Sequence, residues 1–395
     1  MTVTELLSPA GNLEKLKVAS LYGADAVYCG GQQFGLRAAS DNFSLQELEE
    51  GIAFAHAHGT KVYVVLNAFL HDSDLNELPG FVEDIESLGV DAVIVSDSGV
   101  VEVVKNRSKL PIHLSTQASC LNRYSAQLWK KHGVSRVVLG REVSIQEAAE
   151  IKKSTGLEVE IFIHGSMCMA YSGNCVISNY TQGRDSNRGG CAHSCRFEYS
   201  LDSQDYEKKN AYFMSSKDLQ GIRFLKDCVD LGIDSLKVEG RMKTHHYVGT
   251  ISKVYSEALQ FYREHGHFLS EQMLHWESEL AKVSGRDGGA WNMTAEAAGD
   301  SIFNKRETNE ESHNLAGVVQ QVFDNEIVIE VRKAFDRHDK LELIPFKGDI
   351  QNLSLSRILS LNGLDIERTN PGTLVRIPFS GTAAAMNIIR IENRL

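Results

Sequence analysis

Eight short runs of apolar and β-branched residues, spaced along roughly the first 240 positions with helical stretches between them, constrain this chain more than any other feature. They are "ELLSP", "DAVYCG", "KVYVVLN", "DAVIVSD", "PIHLST", "SRVVLG", "EVEIFIHG" and "DSLKVEG". Each is too short and too uniformly apolar for a helix, so each reads as a strand. The segments 13–22, 45–58, 75–88, 124–132 and 145–154 read as helices. Asn12, Ser44, Asp74 and Ser144 are placed to cap several of them, and Gly23, Gly59, Gly89, Gly133 and Gly156 stand where they would end. Eight strand-then-helix units imply a closed (β/α)8 TIM-like barrel over residues 1–265. An open doubly wound sheet would show a glycine-rich first turn, and "SPAGN" is not one. Beyond it, a polar helical stretch passing through "TNEESHN" reads as a helical linker, 266–313. In 314–395, "LAGVVQQVF", an Asp324-Asn325 turn, "EIVIEVRK", "DKLELIP" and "GTLVRIPF" predict a small C-terminal antiparallel β-barrel domain.

A barrel of this kind does chemistry at the C-terminal ends of its strands. Arg37, Asn67, Asp97, Ser115, Gln117, Arg141, Glu142, His164, Glu239 and Arg241 fall there. Asp97 and Ser115 read best as caps. Arg37, Arg141, His164, Glu239 and Arg241 are the catalytic candidates. The seventh connection is anomalous: after Gly165 the chain runs to about Ser215 before the expected helix "SKDLQGIRFLKDCVDLG", and connections that long are usually functional.

Four of the seven cysteines, Cys168, Cys175, Cys191 and Cys195, lie in that insertion after strand 7 (165–215). An odd cysteine count without an export signal favours metal or redox use over a disulfide framework. Four thiolates suit zinc or an iron-sulfur cluster. Structural zinc usually draws on C-x2-4-C pairs, and the wide Cys168 to Cys175 spacing favours the cluster. Cys29 and Cys120 read as small buried hydrophobes. Cys228, on a helix beside Phe224, Leu225 and Leu231, reads as structural and is the reserve ligand.

The formal net charge of -11 argues against phosphate binding by the whole surface. A local basic cleft is compatible with it: Arg184, Arg188, Arg196, Lys217, Lys237, Arg241, Lys243, His245 and His246 all belong to the insertion or the last strand-to-helix turn. The acidic runs "SLQELEEG" and "DLNELPGFVEDIES" read as solvated helix faces. No apolar stretch approaches the ~18 residues of a membrane helix, which predicts a soluble, cytoplasmic protein.

Glu160, Phe162, Gly165, Ser166, Met167, Cys168, Gly173, Cys175, Ile177 and Ser178 together resemble the signature of the collagenase-like peptidase U32 family. "ELLSPAGN", "GADAVYCGG", "HLSTQAS", "RVVLGRE", "MSSKDL" and "SLKVEGRMK" resemble that family's strand ends. Within it, "GRDSNRGGCAHSC" with "RFEYSL" is most similar to the branch that forms 5-hydroxyuridine at the wobble position of bacterial tRNA. That resemblance implies a [4Fe-4S] cluster on the four insertion cysteines, prephenate as oxygen donor, tRNA as partner and a possible paralogous partner protein. Sister branches act on a ribosomal RNA cytidine and on ubiquinone precursors, and the latter arrange the last ligand differently from C-x3-C. "DRHDKLEL" departs from the family, which often has glycine before the aspartate. The older peptidase label needs a thiol with a histidine base, for which His164, four residues before Cys168, is the candidate, and no H-E-x-x-H metalloprotease helix is present. A non-catalytic RNA-binding cluster protein is a third class.

Overall fold

The computed structural model describes residues 3–36, 41–203, 206–294, 301–305 and 312–393. All eight runs are strands: β1 (Glu5–Pro9), β2 (Ala26–Cys29), β3 (Lys61–Leu66), β4 (Ala92–Val95), β5 (Ile112–Leu114), β6 (Arg136–Val138), β7 (Glu158–Ser166) and a closing strand, Ser235–Val238. They pair in parallel in chain order. Ser235 of the closing strand stands opposite both Glu5 of β1 and Glu160 of β7, which shuts the barrel.

Local chemistry explains where most helices begin. The Asn12 side chain accepts the Lys15 N–H, and Ser44 with Glu47 and Ser144 with Glu147 form reciprocal capping boxes. Asp97 accepts the Gly99 and Val100 N–H groups at the start of a helix over Ser98–Arg107. That valine-rich helix is absent from the sequence-predicted set. Valine is a modest helix former, and packing of Val100, Val101 and Val104 into the core decides the matter. Asp74 does not cap the next helix: Glu77 precedes Leu78–Ser87, and Asp74 instead accepts from the His71 N–H and pairs with Arg188.

Strand alternation sorts the core into two. Leu6, Val27, Val64 and Val93 face the helices, whereas Leu7, Tyr28, Tyr63, Val65 and Ile94 form a separate inner cluster. The barrel interior also holds an ionic network. Arg136 donates to Glu5 at 2.6 Å, Glu158 at 2.9 Å and Glu160 at 3.4 Å, and Lys237 donates to Glu160 at 2.8 Å.

Helix Ser270–Ala281 sends Trp276 and Leu280 into the main core. The acidic stretch that reads as linker lies largely outside the described residues. From His313 the chain builds a seven-stranded antiparallel half-barrel in the order Gln351–Leu353, Leu341–Ile344, Ile388–Glu392, His313–Phe323, Glu326–Val331, Leu374–Pro378, Leu359–Ser360. The Asp324-Asn325 turn joins Phe323 to its partner Glu326. The sheet is fastened to the barrel by Tyr22, whose hydroxyl donates to Ile344 O at 2.7 Å and accepts from Ile388 N at 2.8 Å. Arg390, fully buried, pairs with Glu279 at 2.7 Å and with Glu342. Among the described residues, no helix is long and apolar enough to cross a membrane.

Of the four buried histidines among the described residues, His113, His164, His246 and His313, the first three are the most strongly held as neutral rings. Burial lowers His164 and His246 to about 3, and burial with the nearby Arg136 takes His113 well below its ordinary value. Because these folded values lie below the unfolded 6.5, the unfolded chain takes up protons first as pH falls. Their stabilisation is complete above about pH 6.5 and shrinks toward pH 3. At pH 5 His164 and His246 each cost about 2 kcal/mol relative to pH 7. Urea midpoints should therefore drop sharply between pH 7 and 5, and His246→Gln should flatten the drop. Equal midpoints at the two pH values would contradict neutral burial.

Candidate functional site

The C-terminal strand ends open into a chamber, and the insertion after β7 folds over it. Beside it a short strand, Asp218–Gln220, runs antiparallel to the end of β7 with Asp218 opposite Ser166. The helix expected from Ser216 therefore begins later, as a 3-10 turn at Ile222–Phe224 followed by Leu225–Asp230. Hydrogen-bonding groups at the overhanging end of β7 need partners, and residues 218–220 supply them in place of a helical turn.

Short loops hold the insertion over the mouth. Phe69 N donates to Asn187 O at 3.1 Å, and Arg188 donates back to Phe69 O at 2.6 Å and to Asp74 at 2.8 Å. Ser172 N donates to the Glu142 carboxylate at 2.9 Å, while the Ser172 hydroxyl accepts from Arg141 N at 3.1 Å. Gly173, at φ +79°, lies so close to the Gln117 carbonyl that any Cβ would collide with it.

All four insertion cysteines line this chamber. Cys168 is exposed, and Cys175, Cys191 and Cys195 are half-buried. A short helix, Ile177–Gln182, holds Cys175 near the other two: Ala192 N donates to the Ser178 hydroxyl at 3.0 Å and Thr181 donates to Ser194 at 2.7 Å. Burial and then the neighbouring Cys168 push Cys195 up to about 11 against the pull of Arg196, with Cys191 and Cys175 adding to the rise. Among the described residues, no three Cys, His, Asp or Glu side chains are gathered tightly enough to hold a metal ion. Thiolates that share one zinc at ~2.3 Å must crowd together, whereas those around a four-iron cube stand farther apart. In donor chemistry the set fits such a cube. Cys29, Cys120 and Cys228 are buried and none lines the chamber.

Arg141, Glu239 and Arg241 are brought to the same chamber. The Arg141 guanidinium lies 4.1 Å from the Phe162 ring centroid and forms no ion pair among the described residues. Arg241 is only 4% exposed, and a Cβ at Gly30 would run into its guanidinium, so glycine there makes room for it. Glu239 accepts from the Tyr28 hydroxyl at 3.2 Å. Asn67, Ser115 and Gln117 also line the chamber, with Ser115 accepting the Gln117 N–H as a cap. Arg37 lies outside the described residues.

His164 is not brought there. Opposite the step from Lys237 to Val238, β7 advances two residues, from Phe162 to His164. This bulge turns both Ile163 and His164 outward, where the imidazole Nδ1 stands 3.2 Å from the Tyr255 hydroxyl. Strict alternation places His164 inside with Phe162, and the extra residue is what defeats that reading. The single basic face is likewise dispersed. Lys237 and His246 are buried, His245 meets Glu14 at 3.1 Å, and Lys243 stands 3.9 Å from Asp218. Two chamber residues missed from sequence are Asn187 and His193. For His193 the signal was its place between Cys191 and Cys195.

Residues 11–300 match peptidase family U32, and residues 311–390 match the peptidase family U32 C-terminal domain. The chain is 39% identical over 362 residues to tRNA hydroxylation protein P1 of Bacillus subtilis, spanning 89% of this chain and 85% of that one. It is 39% identical over 260 residues to the 23S rRNA 5-hydroxycytidine C2501 synthase of Escherichia coli, spanning 65% of this chain and 39% of that longer one. It is 31% identical over 304 residues to a collagenase of Porphyromonas gingivalis, spanning 73% and 72%.

Proposed function

This chain belongs to peptidase family U32, and from that premise we propose that it is an RNA hydroxylase forming 5-hydroxyuridine at the wobble position of tRNA in the cytoplasm. The observation that carries the reading is a single chamber, at the C-terminal end of a (β/α)8 barrel, into which four thiols and the guanidiniums of Arg141 and Arg241 converge. Cys168, Cys175, Cys191 and Cys195 would hold a [4Fe-4S] cluster, which supplies one-electron chemistry. Arg141 and Arg241 suit the two carboxylates of prephenate as oxygen donor, since guanidinium binds carboxylate through paired hydrogen bonds. Phe162 stacks beneath the Arg141 guanidinium, and the insertion folds over the chamber while leaving Cys168 exposed. A peptidase reading, favoured by the collagenase relative, loses His164 as a base, because it faces Tyr255 as a neutral ring outside the chamber, and would have to draw on His193.

Nucleoside analysis of tRNA and ribosomal RNA from cells with and without the gene tests the reaction. Loss of 5-hydroxyuridine-derived nucleosides from tRNA is expected. Unchanged tRNA alongside loss of a ribosomal 5-hydroxycytidine would move the activity to the other substrate. Arg141→Ala and Arg241→Ala should each lower kcat/KM by about 100-fold, as expected for losing roughly 3 kcal/mol of paired charged hydrogen bonds. Folded variants with full activity at both positions would sink the carboxylate assignment.

A further inference from the structure

The insertion carries an unusual amount of exposed apolar surface beside the chamber. Met169 is 45% exposed, Tyr171 63%, Val176 53%, Tyr180 88% and Phe197 40%. Scattered exposed hydrophobes are ordinary, but five on one segment mark a contact surface. Met169 and Tyr171 also line the chamber, as does Ile177, and Tyr180 follows Ile177 by three residues on the same helix face. Neither the Tyr171 nor the Tyr180 ring packs against another aromatic ring among the described residues. Both rings have open faces, Tyr171 on the chamber lining and Tyr180 one helical turn beyond Ile177.

Charge favours one kind of occupant. The chain is strongly acidic, and the cations near the insertion are few or engaged: Arg184 and Lys209 are exposed and Arg196 and Lys217 half-buried, whereas Arg188, Lys243 and His245 face Asp74, Asp218 and Glu14 and Lys237, Arg241 and His246 are buried. A duplex, whose affinity depends on neutralising many phosphates, finds little purchase here. An unpaired strand can instead be held by stacking, which requires no dense positive field. A base can enter a roofed chamber only by leaving its stack, and its neighbours then need surfaces to lie on.

We propose that Tyr171 and Tyr180 are stacking platforms for the nucleotides flanking a base inserted into the chamber, so that the protein selects a single-stranded RNA loop over a helix. This deepens the hydroxylase reading and rests on it for the identity of the inserted base.

The test uses the full chain and fluorescence anisotropy with a labelled RNA hairpin bearing a short loop, and its stem alone as a blunt duplex. The hairpin should bind tighter than the duplex. Tyr171→Ala and Tyr180→Ala should each weaken it about ten- to hundredfold, while the Phe variants keep the affinity because the ring face remains. The log–log salt slope should be shallow, about -1.4 for two phosphate contacts on a single strand. Unchanged hairpin affinity in both alanine variants overturns the inference. So does sedimentation showing that Tyr180→Ala dissolves a dimer without affecting RNA, which would make the patch a subunit interface. The reaction is separable: wild-type protein that modifies tRNA while the alanine variants keep KM removes only the platforms. Tyrosine-dependent hairpin binding by protein that leaves every nucleoside unchanged sustains the platforms and removes the reaction.

Discussion

Replacing any one of Cys168, Cys175, Cys191 or Cys195 with serine should abolish the brown chromophore of anaerobically purified protein and with it all hydroxylation, whereas Cys228→Ser should keep both. The four lie on one insertion and line one chamber, while Cys228 sits fully buried on helix Leu225–Asp230. Serine at 228 places a hydroxyl in an apolar site and should cost about 1–3 kcal/mol of stability without changing iron content. Iron and sulfide assays on the five variants decide the set. A full complement of iron in Cys195→Ser together with its loss in Cys228→Ser would overturn it, as would one equivalent of zinc with no sulfide in the wild type.

The second large effect concerns stability. Arg136→Met should destabilise the fold by about 3–5 kcal/mol, because it strips the cation shared by Glu5, Glu158 and Glu160. Glu160 is wholly buried and would keep only Lys237. Burial alone would raise the Glu5 carboxyl, but Arg136 overrides it and holds Glu5 below its ordinary value. That part of the stability is present above pH 4.5 and is lost as pH falls through the lowered value, so the variant should also lose part of its acid sensitivity. Urea denaturation at pH 7 and 4 reads both effects. A loss under 1 kcal/mol would mean that water reaches the network. Adding Glu160→Leu should not recover the deficit, since it leaves the buried Lys237 without its 2.8 Å carboxylate partner.

What could be read from sequence follows from how local each signal is. The eight strands were legible because a buried parallel strand is a short apolar run with nothing hidden in its register. Asn12, Ser44, Asp97 and Ser144 were legible as caps because a cap bonds within three residues. His164 was not, since the bulge depends on how the closing strand pairs with β7. The strand at Asp218–Gln220 was missed for a related reason: its partner lies far earlier in the chain, and helical propensity gives no hint of it. Arg141, Arg241 and the four cysteines were correctly placed at one rim. Lys237 shows the converse failure, being a cation that looks available in sequence and does line the chamber but is already engaged by Glu160.

The antiparallel pairing of Ser166 with Asp218 has an evolutionary corollary. The chain leaves the barrel and re-enters it at neighbouring points, so residues 167–217 form a cassette pinned at both ends. Doubling the length of such a loop adds only about 0.6 kcal/mol of closure entropy. A lineage could therefore lengthen, trim or exchange this module, and alter which polymer it greets, while the strand ends that hold Arg141 and Arg241 stay where they are.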